Sequence, residues 1–110
     1  MKYFYLKASG EARVNWTTSL GLYEKTKLNH NDFPVYKHHE REWYLHVGSE
    51  GCWRVGPLFS YDETGLRHPS RGPTPLNPPA IGWEDFDDDW EQNENITLLP
   101  RSKIYININN

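Results

Sequence analysis

The chain has 110 residues, a formal net charge of -3 and 15% aromatic residues. This length suits one domain, because two separate cores would each be too small to be stable. The slightly acidic balance supplies no strong positive field, so we expect no nucleic-acid partner. No stretch approaches the roughly 18 consecutive apolar residues that a membrane span needs, so we expect none. The prediction is a single domain over residues 1–110.

Short runs of β-branched and aromatic residues recur along the chain, with turn residues between them. This spacing is typical of a sandwich or barrel and not of alternating strands and helices. The predicted strands cover residues 2–7, 13–17, 22–26, 33–38, 43–47, 53–55, 82–86, 96–99 and 103–108. No window shows a sustained helical period. We therefore predict an all-β fold, a small antiparallel sandwich or partly closed barrel of about eight or nine strands.

Residues 69–79 contain a cluster of prolines at positions 69, 73, 75, 78 and 79. Proline fixes φ and removes a backbone donor, so this stretch is predicted to be an extended surface loop. The loop would be ordered if it lay against aromatic side chains.

Alternation along the central strands assigns their faces, because side chains i and i+2 lie on the same side of a strand. If residues 38–42 form a hairpin loop, Val35 lies opposite Leu45 and Tyr36 lies opposite Tyr44. A second hairpin through residues 48–52 sets His46 against Arg54. The predicted inner face is Phe33, Val35, Leu45, Val47, Trp53 and Val55. The predicted reverse face is Tyr36, His38, Tyr44, His46 and Arg54.

The reverse face is the predicted binding surface, because Tyr and Arg offer large flat area with hydrogen-bonding tips. We expect a ligand on Tyr36, Tyr44, His46 and Arg54, or in a groove beside Trp83 and Trp90. The alternative for Tyr36 and Tyr44 is a stabilising cross-strand pair, covered by the proline-rich loop or a second sheet.

Other clusters predict no metal, cofactor or catalytic residue. Asp85, Asp87 and Asp89 resemble the first half of a calcium loop, but Trp90 and Ile96 stand where such a loop has Gly and Glu. This pattern favours a solvated acidic turn. The five His residues lack zinc-ligand spacing, and the lone Cys52 matches no nucleophile motif.

The order of several motifs is similar to a tryptophan-rich β module that recurs in animal proteins, mostly of marine invertebrates. The matching motifs are Leu20-Gly-Leu-Tyr-Glu-Lys-Thr, Asn31-Asp-Phe-Pro-Val-Tyr-Lys-His, Trp43-Tyr-Leu, Trp53-Arg-Val-Gly, Pro78-Pro79, Gly82-Trp-Glu and Trp90. The resemblance implies a portable domain and attaches no activity to it. This chain has Asn31-Asp32 where the module usually has Asn-Gly, so the turn chemistry is expected to differ.

These observations predict a non-catalytic recognition module that binds a carbohydrate or a protein segment through an aromatic and polar sheet face. One alternative is a small hydrolase that uses carboxylates near Trp83, which would need a concave pocket. Another is a purely structural module whose aromatic residues all lie in the core. The isoleucine-rich segment 103–108 allows a homodimer through edge strands.

Overall fold

The computed structural model describes residues 2–57, 64–69 and 72–101. Within these ranges nine antiparallel strands form one sheet that curls into a half-barrel, and about 10% of the chain is helix. The predicted all-β class is confirmed. The strands are β1 (Tyr3–Ala8), β2 (Gly21–His30), β3 (Phe33–His38), β4 (Tyr44–Val47), β5 (Trp53–Gly56), β6 (Leu66–His68), β7 (Glu84–Asp87), β8 (Asp89–Gln92) and β9 (Ile96–Arg101). The helical elements are α1 (Gly10–Asn15) and a 3-10 turn at Thr17–Ser19.

The sheet is a meander with one return. Its order is β8-β7-β6-β5-β4-β3-β2-β1-β9, so each strand pairs with its sequence neighbour until β9 returns to β1. The β2–β3 hairpin turns at Asn31 and Asp32, whose φ angles are 52° and 72°. Asn and Asp tolerate this left-handed region better than other non-glycine residues, so Asn-Asp serves here in place of Asn-Gly.

The core lies on the inner, concave face of the curled sheet. It is built mainly from aromatic and branched side chains: Phe4, Leu6, Ala12, Tyr23, Tyr36, Leu45, Val47, Trp53, Val55, Leu66, Trp83, Ile96 and Leu98. Burying each large member contributes roughly 1.5–3 kcal/mol relative to exposure. A few bulky aromatic residues thus compensate for a low overall apolar content.

The two central hairpins differ in how well their registers were predicted. In β4–β5, His46 pairs with Arg54 and Leu45 with Val55, as predicted. In β3–β4, Tyr36 pairs with Leu45, so the prediction that Val35 faces Leu45 and Tyr36 faces Tyr44 is wrong by one residue. A one-residue shift exchanges the faces of a strand. Tyr36 therefore enters the core, and Val35 is buried on the opposite side of the sheet.

The cause of the shift is the β3–β4 turn. The backbone N–H of His38 donates to the carbonyl of Trp43 at 2.8 Å, so β3 extends through His38. The loop is therefore residues 39–42, one residue shorter than the predicted loop 38–42. The His38 ring also accepts a hydrogen bond from the Glu40 N–H at 2.9 Å. A hydrogen bond between a side chain and the backbone of a turn changes the length of that turn, and it leaves the hydrophobic pattern of the strands unaltered.

The predicted strand over residues 13–17 is wrong, because α1 and the 3-10 turn occupy this stretch. The helix places Ala12 in the core, while Arg13 and Val14 stay exposed. A six-residue helix shows too little of the helical period to be recognised by pattern. Strands β6 and β8 were not predicted either, and the predicted strand 103–108 lies outside the described residues.

Residues 72–83, which we call the strap, contain most of the prolines and form hydrogen bonds with β5 and β9, which are not neighbours in the sheet. The indole N–H of Trp53 donates to the carbonyl of Pro75 at 3.0 Å, and that of Trp83 donates to Pro79 at 2.8 Å. The backbone N–H of Leu98 donates to Ala80 at 2.9 Å. The strap is thus ordered against aromatic side chains and closes the core.

Candidate functional site

Tyr36 and Trp83 belong to the core. Tyr36 is 1% exposed and Trp83 is 0% exposed. The Tyr36 ring packs edge-on against Phe4 at 5.1 Å between centroids, and its burial raises the pKa of the phenol. The expectation that Tyr36 faces outward is wrong, because the β3–β4 register puts it on the inner face. Neither ring presents a surface to a ligand.

His46 and Arg54 do lie on the reverse face, but neither is open to solvent. His46 is 0% exposed and packs against the ring of His30 at 6.1 Å. Arg54 is 7% exposed; its guanidinium forms an ion pair with Glu50 and donates to the Thr64 hydroxyl at 3.1 Å. The prediction that these side chains are free for contact is therefore wrong, because neighbouring loops cover this part of the sheet.

Tyr44 is the partly exposed member of the predicted face. Its hydroxyl donates to the Glu42 carboxylate at 2.6 Å. This hydrogen bond, with a smaller contribution from burial, raises the pKa of Tyr44. β4 is separated from β7 by β5 and β6, so Tyr44 does not join the aromatic residues of the β7–β8 hairpin.

Trp90 forms an aromatic and cationic cluster on the outer face of the β7–β8 hairpin. The guanidinium of Arg67 lies 4.1 Å from the ring centroid of Trp90, within the range of a cation–π interaction. Arg67 also donates to Glu84 at 3.0 Å. Phe86, which pairs with Trp90 across the hairpin, is 48% exposed and lies 5.4 Å from it between centroids. We call Arg67, Glu84, Phe86 and Trp90 the outer cluster.

A cleft of about 470 Å³ lies between α1 and the β7–β8 hairpin. We call it the helix–hairpin cleft, and Phe86 joins it to the outer cluster. It is lined by Glu11, Ala12, Asn15, Trp16, Asp85, Phe86, Asp87, Glu91, Gln92 and Asn93. Among these described residues there are two aromatic rings, four carboxylates, three amides and no Lys or Arg.

Asp85 connects the two walls of the cleft. Its Oδ2 accepts a hydrogen bond from the Trp16 indole at 3.0 Å and another from the Asn93 amide at 3.0 Å. Trp16 lies close to the backbone of Gly65, where an added Cβ would fall 2.3 Å from the indole ring. Glycine at position 65 is therefore needed for this placement of Trp16, which fixes one wall of the cleft before any ligand arrives.

The cleft offers chiefly hydrogen-bond acceptors and flat apolar area. Carboxylates accept hydrogen bonds, and amides both accept and donate. Asp85 Oδ2 accepts hydrogen bonds from two protein donors, and Glu84 Oε1, outside the cleft lining, accepts one from Arg67, so both carboxylates help to fix the surrounding structure. The acceptors of the cleft can orient a ligand by accepting hydrogen bonds from the donors of that ligand.

Within residues 2–57, 64–69 and 72–101, no three His, Cys, Asp or Glu side chains converge as metal ligands. No helix in the described part of the chain has the length and apolar character needed to cross a bilayer.

Sequence reasoning missed the two aromatic residues that line the cleft, Trp16 and Phe86. Trp16 was assigned to a strand, whereas it follows α1. The one available signal was Ser9 ahead of Gly-Glu-Ala, since Ser is favoured at a helix N-terminus. Phe86 was placed at the end of the predicted strand 82–86 but not in a binding site, because the pairing of β7 with β8 has no hydrophobic pattern of its own.

Comparison with protein-family models, with curated proteins and with solved structures finds no match to this chain. The resemblance to a tryptophan-rich module stays a prediction. Within the described residues, the fold class is a nine-stranded, all-β half-barrel.

Proposed function

We propose that this protein is a non-catalytic recognition module whose ligand, a carbohydrate or a protein segment, lies in the helix–hairpin cleft and extends onto the outer cluster. The observation that carries the proposal is the position of Phe86. This ring is 48% exposed, lines the cleft and contacts Trp90. Exposed aromatic rings flanked by a few oriented polar groups are typical of binding sites.

The chemistry of the cleft restricts its ligand. Carboxylates of Glu11, Asp87 and Glu91 need donors from the ligand, which the hydroxyls of a sugar or the ammonium and guanidinium groups of a protein segment provide. A flat ring such as Phe86 packs against the apolar face of a sugar or against an aliphatic side chain. Both ligand classes therefore remain in the proposal.

The fixed walls favour binding over catalysis. Glu84 and Asp85 both accept hydrogen bonds from protein donors, which supports a role for these carboxylates in holding the walls in place. The rival hydrolase would use carboxylates near Trp83, and the buried Trp83 ring, which is 0% exposed, offers no aromatic surface there to a substrate. A panel of generic hydrolase substrates separates the two functions, since the recognition module turns over none.

The proposal is tested with a glycan array and an array of short peptides, followed by titration of any ligand found. Phe86→Ala should weaken binding by about tenfold or more, as expected for a central aromatic contact. The matched control is Leu76→Ala, because Leu76 is 75% exposed and lies outside the cleft. Equal loss in both variants, or no ligand on either array, would contradict the proposal.

A further inference from the structure

The ring of His38 is fixed at both nitrogens, at the end of β3. Nδ1 accepts a hydrogen bond from the backbone N–H of Glu40 at 2.9 Å. Nε2 lies 2.7 Å from the carbonyl oxygen of Leu20. His38 is 4% exposed, so water does not replace these partners. One imidazole thereby links the β3–β4 turn to the chain just before β2.

These two partners determine the protonation state of the ring. A backbone N–H only donates and a carbonyl only accepts, so Nδ1 carries no proton and Nε2 carries one. The neutral ring satisfies both bonds. A second proton would go to Nδ1 and point at the Glu40 N–H, and that hydrogen bond would be lost.

The charges around the ring act mainly against a second proton. Nη1 of Arg41 lies 3.4 Å from Nε2, and like charges at this distance repel. The neighbouring His39 acts in the same direction, while Glu40 acts in the opposite one. Lys37 Nζ donates to the His38 carbonyl at 3.3 Å.

β2 packs tightly against the other side of the ring. Tyr23 lies edge-on at 5.2 Å between centroids, and an added Cβ on Gly21 would fall 2.5 Å from Nε2. The charged residues of this strand are Glu24, which is bound to His39 at 3.0 Å, Lys25, which lines the pocket beside His38, and Lys27. The ring therefore has little room to turn away from a new proton.

We propose that His38 is an acid-sensitive latch, which holds the β3–β4 turn of residues 39–43 closed while the ring is neutral and releases it when Nδ1 takes up a proton. Burial lowers the pKa of His38, in agreement with this geometry. The turn also carries Arg41, whose Nη1 reaches the Thr18 carbonyl at 3.5 Å. Release would therefore also loosen the contact between the turn and the 3-10 segment.

The latch borders a shallow pocket of about 340 Å³. It is lined by Glu24, Lys25, Thr26, Lys37, His38 and His39. Since two of these residues flank the start of the turn, opening the turn would change the shape of this pocket. The device is independent of the helix–hairpin cleft, which shares none of these residues.

Nuclear magnetic resonance on the whole chain tests the latch. The ring nitrogens of His38 and the hydrogen-exchange protection of the Glu40 amide are followed from pH 7.5 to pH 4.5. At pH 7.5 the ring should be the Nε2–H tautomer. Below about pH 6.5, the ordinary imidazole value, protection of the Glu40 amide should fall by up to tenfold per pH unit as the ring titrates.

Two variants separate the latch from general acid effects. His38→Gln has no titratable ring, so its Glu40 protection should not vary with pH through this range. His39→Gln removes the adjacent exposed imidazole, which only adds to the repulsion at His38, and its Glu40 protection should still fall as pH is lowered. If His38→Gln does not fold, the coupling between ring titration and Glu40 protection in the wild type decides the question. An Nδ1–H tautomer at pH 7.5, or protection that stays constant while the ring titrates, would overturn the proposal.

Discussion

Tyr36 and Tyr44 lie on adjacent strands and differ in what a substitution should cost. Tyr36 is 1% exposed and contacts Phe4 and Trp53 inside the core. Tyr36→Ala should lower the free energy of unfolding by about 3–5 kcal/mol, because it removes a buried aromatic ring and leaves a cavity. Tyr44→Ala should cost about 1 kcal/mol, since its partly exposed hydroxyl loses one hydrogen bond to Glu42. Urea unfolding of both variants measures the difference, and equal costs would contradict the observed register.

Gly65 leaves room for the Trp16 ring, which lines the helix–hairpin cleft. A Cβ at this position would fall 2.3 Å from the Trp16 ring, so Gly65→Ala should displace the indole and cost about 1–3 kcal/mol. Displacement would also break the bond from Trp16 to Asp85, and any ligand of the cleft should bind more weakly. Near-ultraviolet circular dichroism reports the indole environment, and urea unfolding reports the stability.

The matched control for Gly65 is Gly10→Ala. Gly10 has a φ of 61°, and its added Cβ would meet only the Asn95 amide at 3.8 Å within 4 Å. Because a residue with a Cβ is strained at this φ, the variant should lose about 1 kcal/mol of unfolding free energy. The circular dichroism signal of Trp16 should stay unchanged. A Gly65→Ala spectrum identical to the wild type would contradict the close packing of Trp16 against Gly65.

Among the elements, the strap shows what composition predicts and what it leaves open. Its prolines predict an extended segment, because each fixes φ and removes a donor. They do not predict that the strap joins β5 to β9, which depends on the Pro75 carbonyl meeting the Trp53 indole and the Ala80 carbonyl meeting the Leu98 N–H. Such pairings arise only when distant parts of the chain come together.

A single hydroxyl tests how firmly the strap is held. Thr74 Oγ1 donates to the Gly51 carbonyl at 2.8 Å, at the turn between β4 and β5. Thr74→Val keeps the shape and removes this donor, so it should cost about 0.5–1.5 kcal/mol and speed hydrogen exchange in the strap. Thr18→Val, at an exposed position of the 3-10 turn, is the control and should change neither quantity. Unchanged exchange in Thr74→Val would mean that the indole bonds and the bond from Leu98 to Ala80 hold the strap without Thr74.

The strands were predicted where hydrophobic alternation is strong and missed where it is weak. β3 spans the predicted residues, and the β4–β5 register follows from Leu45, Val47, Trp53 and Val55 facing inward. The β3–β4 register was wrong because β3 continues through His38, whose ring bonds to the turn, and the loop is one residue shorter than predicted; no strand pattern records this. β8 is acidic and partly exposed, so it is defined by pairing with β7 and not by its own composition.

At the scale of the whole molecule, acid should weaken the fold partly through His68. Its Nδ1 is buried without a hydrogen-bond partner among the described residues, and burial lowers the pKa of the ring. The folded state then binds this proton less well than the unfolded state, whose imidazole pKa is about 6.5. The contribution of His68 to stability is complete above pH 6.5 and is lost as pH falls toward the folded pKa.

Unfolding free energies of wild type and His68→Gln between pH 7.5 and pH 4.5 check this dependence. The variant should lose less stability over that interval than the wild type, because it lacks the imidazole that binds a proton more tightly in the unfolded state than in the folded state. His39→Gln removes an exposed imidazole and should not reduce the loss. Parallel curves for wild type and His68→Gln would show that His68 titrates equally in both states.

The distribution of charge gives a test of which ligand class the cleft accepts. Residues 84–94 contain seven Asp or Glu residues and no Lys or Arg, although the net charge of the chain is only -3. Such a local negative field attracts cations over about one Debye length, roughly 10 Å at 0.1 M salt. A protein segment bound through Lys or Arg should therefore lose affinity severalfold between 50 mM and 500 mM salt, whereas a neutral glycan should change by less than about twofold.

Titrations at both salt concentrations measure this change in affinity. Glu91→Gln should flatten the salt dependence of the affinity, while Glu94→Gln, outside the cleft lining, should affect it less. Affinity that rises with salt, or two variants that behave alike, would place the ligand away from the helix–hairpin cleft.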